Sequence, residues 1–125
     1  MKKWIKTLIG CAFVVILAAC SATPIVEVQT PVYGHDIAQI EKAIMEAGAG
    51  RNWFMERVQL GVINAHLIVR HRHRINVRID YSAKGYQINH VSSQNMKEKD
   101  GQIHKSYVRW VDNLDNDIKE RLSTH

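Results

Sequence analysis

Two cysteines and two prolines are all that 125 residues contain of either type. One cysteine, Cys11, sits inside an apolar leader, so the exported chain keeps a single thiol and cannot close an internal disulfide. Its fold must be held by its core. Both prolines, Pro24 and Pro31, fall between Ser21 and Gly34, and the rest of the chain is free of this breaker. No long hydrophobic run is present either: Thr7 to Ala19 is thirteen uncharged residues, where a spanning helix needs ~20. No Gly-rich phosphate loop and no Gly-x-Ser-x-Gly elbow occur, which excludes those two kinds of nucleotide and acyl-transfer site. A decisive excess of charge is also lacking. The formal charge is +5, but Lys2, Lys3 and Lys6 belong to the leader, and +2 remains without them. That balance does not argue for a nucleic-acid partner. The length allows one domain, and 46% apolar with 23% charged residues is ordinary globular composition.

What is present begins with an address. A lysine-rich start, a short apolar run and small residues at its end read as a secretory signal peptide over residues 1–19. Leu17-Ala18-Ala19-Cys20 has the form of a bacterial lipobox, in which the Cys20 thiol accepts a diacylglyceryl group and the freed amine a further acyl chain such as palmitate. Each buried methylene contributes ~0.8 kcal/mol, so two or three chains hold a protein on a membrane. Ser21, where an Asp would favour inner-membrane retention, points to the periplasmic face of the outer membrane.

Residues 20–34 read as a lipidated, extended tether reaching at most ~45 Å. Ile25, Val26, Val28 and Val32 also allow part of it to dock as an edge strand. Residues 35–123 read as the folded domain. Asp36 is a cap, Ile37, Ile40, Ile44 and Ala47 mark a short helix, and Gly48 and Gly50 are expected to stop it. Period-two alternation follows: Ile63, Ala65, Leu67 and Val69, then Ile75, Val77, Ile79 and Tyr81, then Tyr86, Ile88 and His90, with a weaker strand from Trp53 to Leu60. Ser92 to Gly101 reads as a loop. Ile103, Tyr107, Trp110, Val111, Leu114, Ile118 and Leu122 form one helical stripe. The expected fold is α+β: a two-layer sandwich, with an antiparallel meander of three to four strands and an N-terminal and a C-terminal helix on one face.

The lipobox at Cys20, the Trp53 strand with Gly61, the alternation from Arg70 to Tyr81, and the closing segment Ile103 to Leu114 together resemble a group of small uncharacterised lipoproteins of Gram-negative bacteria. The resemblance implies the same location and compact α+β domain, and it brings no catalytic residues.

Candidate chemistry concentrates in Arg70, His71, Arg72, His73 and Arg74, where one strand ends and the next begins. Arginines there suit phosphate or carboxylate groups on lipid heads, lipopolysaccharide or peptidoglycan. The same run also suits a solvated hairpin whose charges discourage edge pairing. Arg74, Asn76, Arg78 and Asp80, with Asn64 and His66, are expected on the uncovered sheet face, as a docking platform or simply its wet side. His66, His71, His73 and His90 raise a metal site, although no free cysteine or nearby carboxylate completes it. Asp112, Asp115 and Asp117 miss the spacing of a calcium loop. Tyr107 and Trp110 fit a ligand shelf or the core. His104 with Ser92 or Ser93 gives no more than the elements of a nucleophile and base. The expectation is a non-enzymatic envelope lipoprotein without cofactor, its membrane contact made by the anchor and its ligand an envelope protein, lipid head group or peptidoglycan. The alternative is histidine-mediated handling of metal or anions in the periplasm.

Overall fold

Asp36 closes a capping box. Its carboxylate accepts the Gln39 N–H at 2.8 Å, and the Gln39 side-chain oxygen accepts the Asp36 N–H at 3.0 Å. Helix α1, Ile37–Gly50, follows and buries Ile40, Ala43, Ile44 and Ala47. The two glycines expected to end it instead form its last turn. Termination falls to Asn52, whose φ of 66° is left-handed; its N–H donates to the Ala49 carbonyl at 3.2 Å and the Trp53 N–H to that of Gly48 at 3.0 Å. Gly48 has a different task, since a Cβ there would overlap the Met55 side chain on the neighbouring strand.

The computed structural model describes residues 22–123. The leader, Cys20 and Ser21 lie outside the described residues. The strands are β1 Ala22–Pro24, β2 Val28–Pro31, β3 Phe54–Gln59, β4 Val62–Val69, β5 His73–Ser82, β6 Gly85–Gln94 and β7 Gln102–His104, and the chain continues into helix α2, Ser106–Ser123. One antiparallel sheet has five strands in the order β2-β6-β5-β4-β3, and β1 pairs with β7 in a separate two-stranded sheet. The class is α+β.

Four expectations need correction. The sheet exceeds a three-to-four-strand meander because β2 adds to the free side of β6. Segment 20–34 is not a free tether from residue 22 onward: β1 and β2 both dock, and β2 takes the edge position that its apolar residues allowed. Ile103 belongs to β7 rather than to the final helix, and β6 runs to Gln94 into the segment read as a loop.

The alternation places Ile63, Ala65, Leu67, Ile75, Val77, Ile79 and Ile88 on the buried face. They join one cluster with the helix residues Ile40, Ile44, Val111, Leu114 and Ile118. Each such side chain gains ~1.5–3 kcal/mol by leaving water. Among the described residues Asp115 is the one buried carboxylate, only 7% exposed. Its Oδ1 accepts from Thr30 Oγ1 at 2.8 Å and from the Tyr86 hydroxyl at 2.5 Å, and its Oδ2 lies 3.1 Å from Lys119 Nζ. This network ties β2 and β6 to α2. Gly85, at φ 149°, lets β2 approach, because a Cβ there would strike the Thr30 carbonyl oxygen. Among the described residues no helix is long and apolar enough to cross a membrane.

Burial raises the phenol pKa of Tyr86 and Tyr107, and burial with a hydrogen bond to Glu41 raises that of Tyr81. A folded-state pKa above the unfolded value of about 10 gives stability that is complete below pH 10 and is lost as pH rises. Alkaline titration is therefore expected to unfold the domain cooperatively above pH ~10. Tyrosinate absorbance of these three residues should rise together with loss of circular dichroism; absorbance that rose fully on an intact fold would contradict this.

Candidate functional site

The basic run is divided by its own geometry. Arg70 and His71 occupy the two central positions of the β4–β5 turn with φ of 56° and 60°, and the Arg72 N–H closes it onto the Val69 carbonyl at 3.2 Å. Three residues, Arg70 to Arg72, thus connect the paired Val69 and His73, and two successive positive φ values are of the kind that Asn and Gly adopt at least cost. Strand alternation then sends His73 to the helix side and Arg74 to the open face. Arg74, Arg78 and His66 thus lie away from Arg70 and His73, while His71 and Arg72 stay exposed at the turn.

Arg70 and His73 are met by residues that sequence reading did not connect with them. A cavity of about 370 Å³ is lined by Arg70, His73, Lys97, His104, Arg109 and Trp110. Asn95 shapes it: its side-chain amide donates to the Arg72 carbonyl at 2.6 Å, and its own carbonyl accepts from His73 Nδ1 at 2.9 Å. His104 Nδ1 accepts the Ser106 N–H at 3.1 Å, which leaves the proton on Nε2. No carboxylate lines the cavity. Among the described residues Arg70, Lys97 and Arg109 make no ion pair; Arg51, Arg57, Arg78 and Lys119 do, elsewhere. Four residues around the cavity, Arg70, His71, Asn95 and Lys97, hold positive φ without being glycine. Such conformations cost about 1–3 kcal/mol each where no side-chain bond relieves them, and they concentrate at binding sites.

A second cleft of about 680 Å³ adjoins the first and shares Arg70 and Trp110 with it. Its Arg51 is committed to Asp117, through Nε–Oδ2 at 2.5 Å and Nη2–Oδ1 at 3.2 Å. The guanidinium holds the Asp117 carboxyl below the usual carboxylate range. This cleft therefore offers an anion less free charge than its neighbour.

The open sheet face carries the expected polar row, but its groups satisfy one another. Arg78 Nε donates to Asp80 at 3.2 Å, Asn89 to Asp80 at 2.8 Å and Asn76 to Ser92 at 2.8 Å. His66 stacks on Phe54 with ring centroids 4.7 Å apart. Phe54, Ile68 and Val91 are exposed there, so the face is less basic and more apolar than a polar platform.

The four histidines do not converge. His66 is on the open face, His71 in the turn, and His90 on the helix side against Tyr107, ring centroids 5.3 Å apart. His90 Nε2 lies 3.2 Å from Glu98 Oε1 but without hydrogen-bond geometry. Among the described residues no three His, Cys, Asp or Glu side chains form a metal-binding group. Neither Ser92 nor Ser93 is bonded to His104; Ser92 accepts from Asn76 and Ser93 donates to Glu98 at 2.5 Å. Tyr107 is core, 1% exposed, whereas Trp110 is half-buried and lines both cavities.

Lys97, His104 and Arg109 carried no signal as a group, because a loop, a short strand and a helix supply one each. Singly, His104 was visible as a candidate base and Arg109 as a cation on the helix off its apolar stripe. Comparison with known proteins finds no matching family model, no matching curated protein and no matching solved structure.

Proposed function

We propose that this chain is a non-enzymatic lipoprotein of the Gram-negative envelope, acylated at Cys20, held on the periplasmic face of the outer membrane, and binding a phosphate-bearing envelope component. The address rests on the leader and lipobox and on the resemblance of the chain to small lipoproteins of that compartment. The binding reading rests on one observation: three unpaired cations and two histidines share a cavity that contains no carboxylate. Guanidinium groups offer planar donor pairs that match phosphate oxygens, and Lys97 adds a mobile point charge. The histidine alternative enters this reading as part of an anion site.

Titrating the lipidated full chain in detergent with inorganic pyrophosphate tests the binding. Saturable binding is expected, weakening as salt rises. The double substitution Arg70→Ala, Lys97→Ala should reduce affinity at least ~tenfold, since hydrogen bonds to charged groups contribute about 1.5–3 kcal/mol each. Arg74→Ala with Arg78→Ala should change it little. Binding that ignored the first pair or followed the second would move the site elsewhere. In cells, Cys20→Ser should release the protein from membranes washed with carbonate; persistence there would refute the anchor.

A further inference from the structure

The first strand fixes where the cationic cavity stands relative to the proposed anchor. Ala22 is the register partner of His104, and Thr23 that of Ile103. His104 is itself a wall of the cavity. Cys20 precedes Ala22 by two residues, so chain connectivity alone keeps their Cα atoms within about 8 Å. Cross-strand partners are about 5 Å apart. The backbone of His104 therefore lies within about 13 Å of the acylated cysteine, whatever path the two residues take. The strand is not free to swing away. The Ile25 N–H donates to the Gly101 carbonyl at 2.9 Å, Ile25 packs on the core, and Ile103 is fully buried.

We infer that the cavity takes the phosphate of an anionic lipid head group from the same leaflet that holds the protein's own acyl chains. The polar layer of a bilayer is about 5–8 Å deep on each side, and Arg and Lys side chains add their own reach. Arg70, Lys97 and Arg109 thus stand within the range where an anionic surface attracts them. A soluble ligand has to arrive by diffusion, but head groups are already present at the high effective concentration that a short tether imposes. Trp110, half-buried beside these cations, has the amphipathic ring that suits the head-group level. The anchor thereby does more than retain the domain: it orients one end of it onto the bilayer and leaves the open sheet face, on the other side of the β-layer, turned away from the bound head groups.

This inference rests on the anion-binding reading and on acylation of Cys20, and the test separates them. The lipidated full chain is reconstituted into phosphatidylcholine vesicles with or without phosphatidylglycerol, and amide hydrogen exchange is followed over residues 95–109. Exchange is expected to slow roughly tenfold with phosphatidylglycerol relative to phosphatidylcholine alone. Arg70→Ala with Lys97→Ala should abolish the slowing, and both residues are exposed and unpaired, so the variant keeps its fold. Equal exchange in the two vesicles, with pyrophosphate still binding in detergent, overturns the lipid inference and leaves the anion site standing. Failure of pyrophosphate as well overturns both. If Cys20→Ser at the same protein concentration shows the full slowing, the anchor geometry is not its cause and the inference falls.

Discussion

Asp115→Ala is expected to destabilise the domain by about 3–4 kcal/mol, while Asp115→Asn costs only about 1 kcal/mol. The contrast follows from which oxygen does what. Thr30 and Tyr86 both donate to Oδ1, and Lys119 approaches Oδ2. Alanine strands the buried Thr30 hydroxyl and leaves that of Tyr86 with only its longer bond to the main-chain carbonyl of residue 115, at 3.3 Å; an unsatisfied buried group costs about 1–3 kcal/mol. Asparagine keeps an oxygen at the Oδ1 position and gives up chiefly the pair with Lys119, whose side chain is half exposed and contributes little. Small domains have about 5–15 kcal/mol in all, so the alanine variant should lose much of its margin. Because Thr30 lies on β2, the loss should appear first as fast hydrogen exchange along β2 and β6. Urea unfolding of the three proteins checks the ranking. Equal destabilisation by the two substitutions would mean that charge, not the Oδ1 acceptor, is what the network needs.

Replacing Arg70 by Asn and His71 by Gly together is expected to raise stability by about 1–2 kcal/mol and to weaken pyrophosphate binding about tenfold. Both residues sit at positive φ, where glycine has no steric cost and asparagine a reduced one. A sequence optimised only for folding would place that pair in this turn. The turn instead holds an arginine that lines the cavity and a histidine beside it, so stability and binding are expected to move in opposite directions. A variant that gained stability and bound pyrophosphate unchanged would show that Arg70 is only a solvated turn residue.

The parts of the fold readable beforehand were those with a repeating period and a single dry side. The alternation in β4 and β5 and the stripe from Tyr107 to Leu122 are of that kind, and so is the cap at Asp36. β1 and β2 were legible only as an edge-strand alternative, because three or four residues next to prolines show no period; they are strands because β7 and β6 offer them an edge. Ile103 continued the helical stripe in sequence yet is buried from a strand, since spacing alone does not mark where a helix begins. The basic run supplies Arg70 and His73 to the proposed site but not the rest of its membership. Alternation placed Arg74 on the far face, and Lys97, His104 and Arg109 arrived from three other segments. Such a gathering is a product of the tertiary fold and leaves no local pattern.

The most direct test is to map inorganic pyrophosphate onto the protein by NMR of the lipidated chain in detergent micelles. Saturable shifts at the amides of Arg70, His73, Lys97 and His104 and at the Trp110 indole, with the resonances of Phe54, His66 and Arg78 unmoved, are the predicted result. Shifts centred on the open sheet face, or none at any concentration, would contradict it.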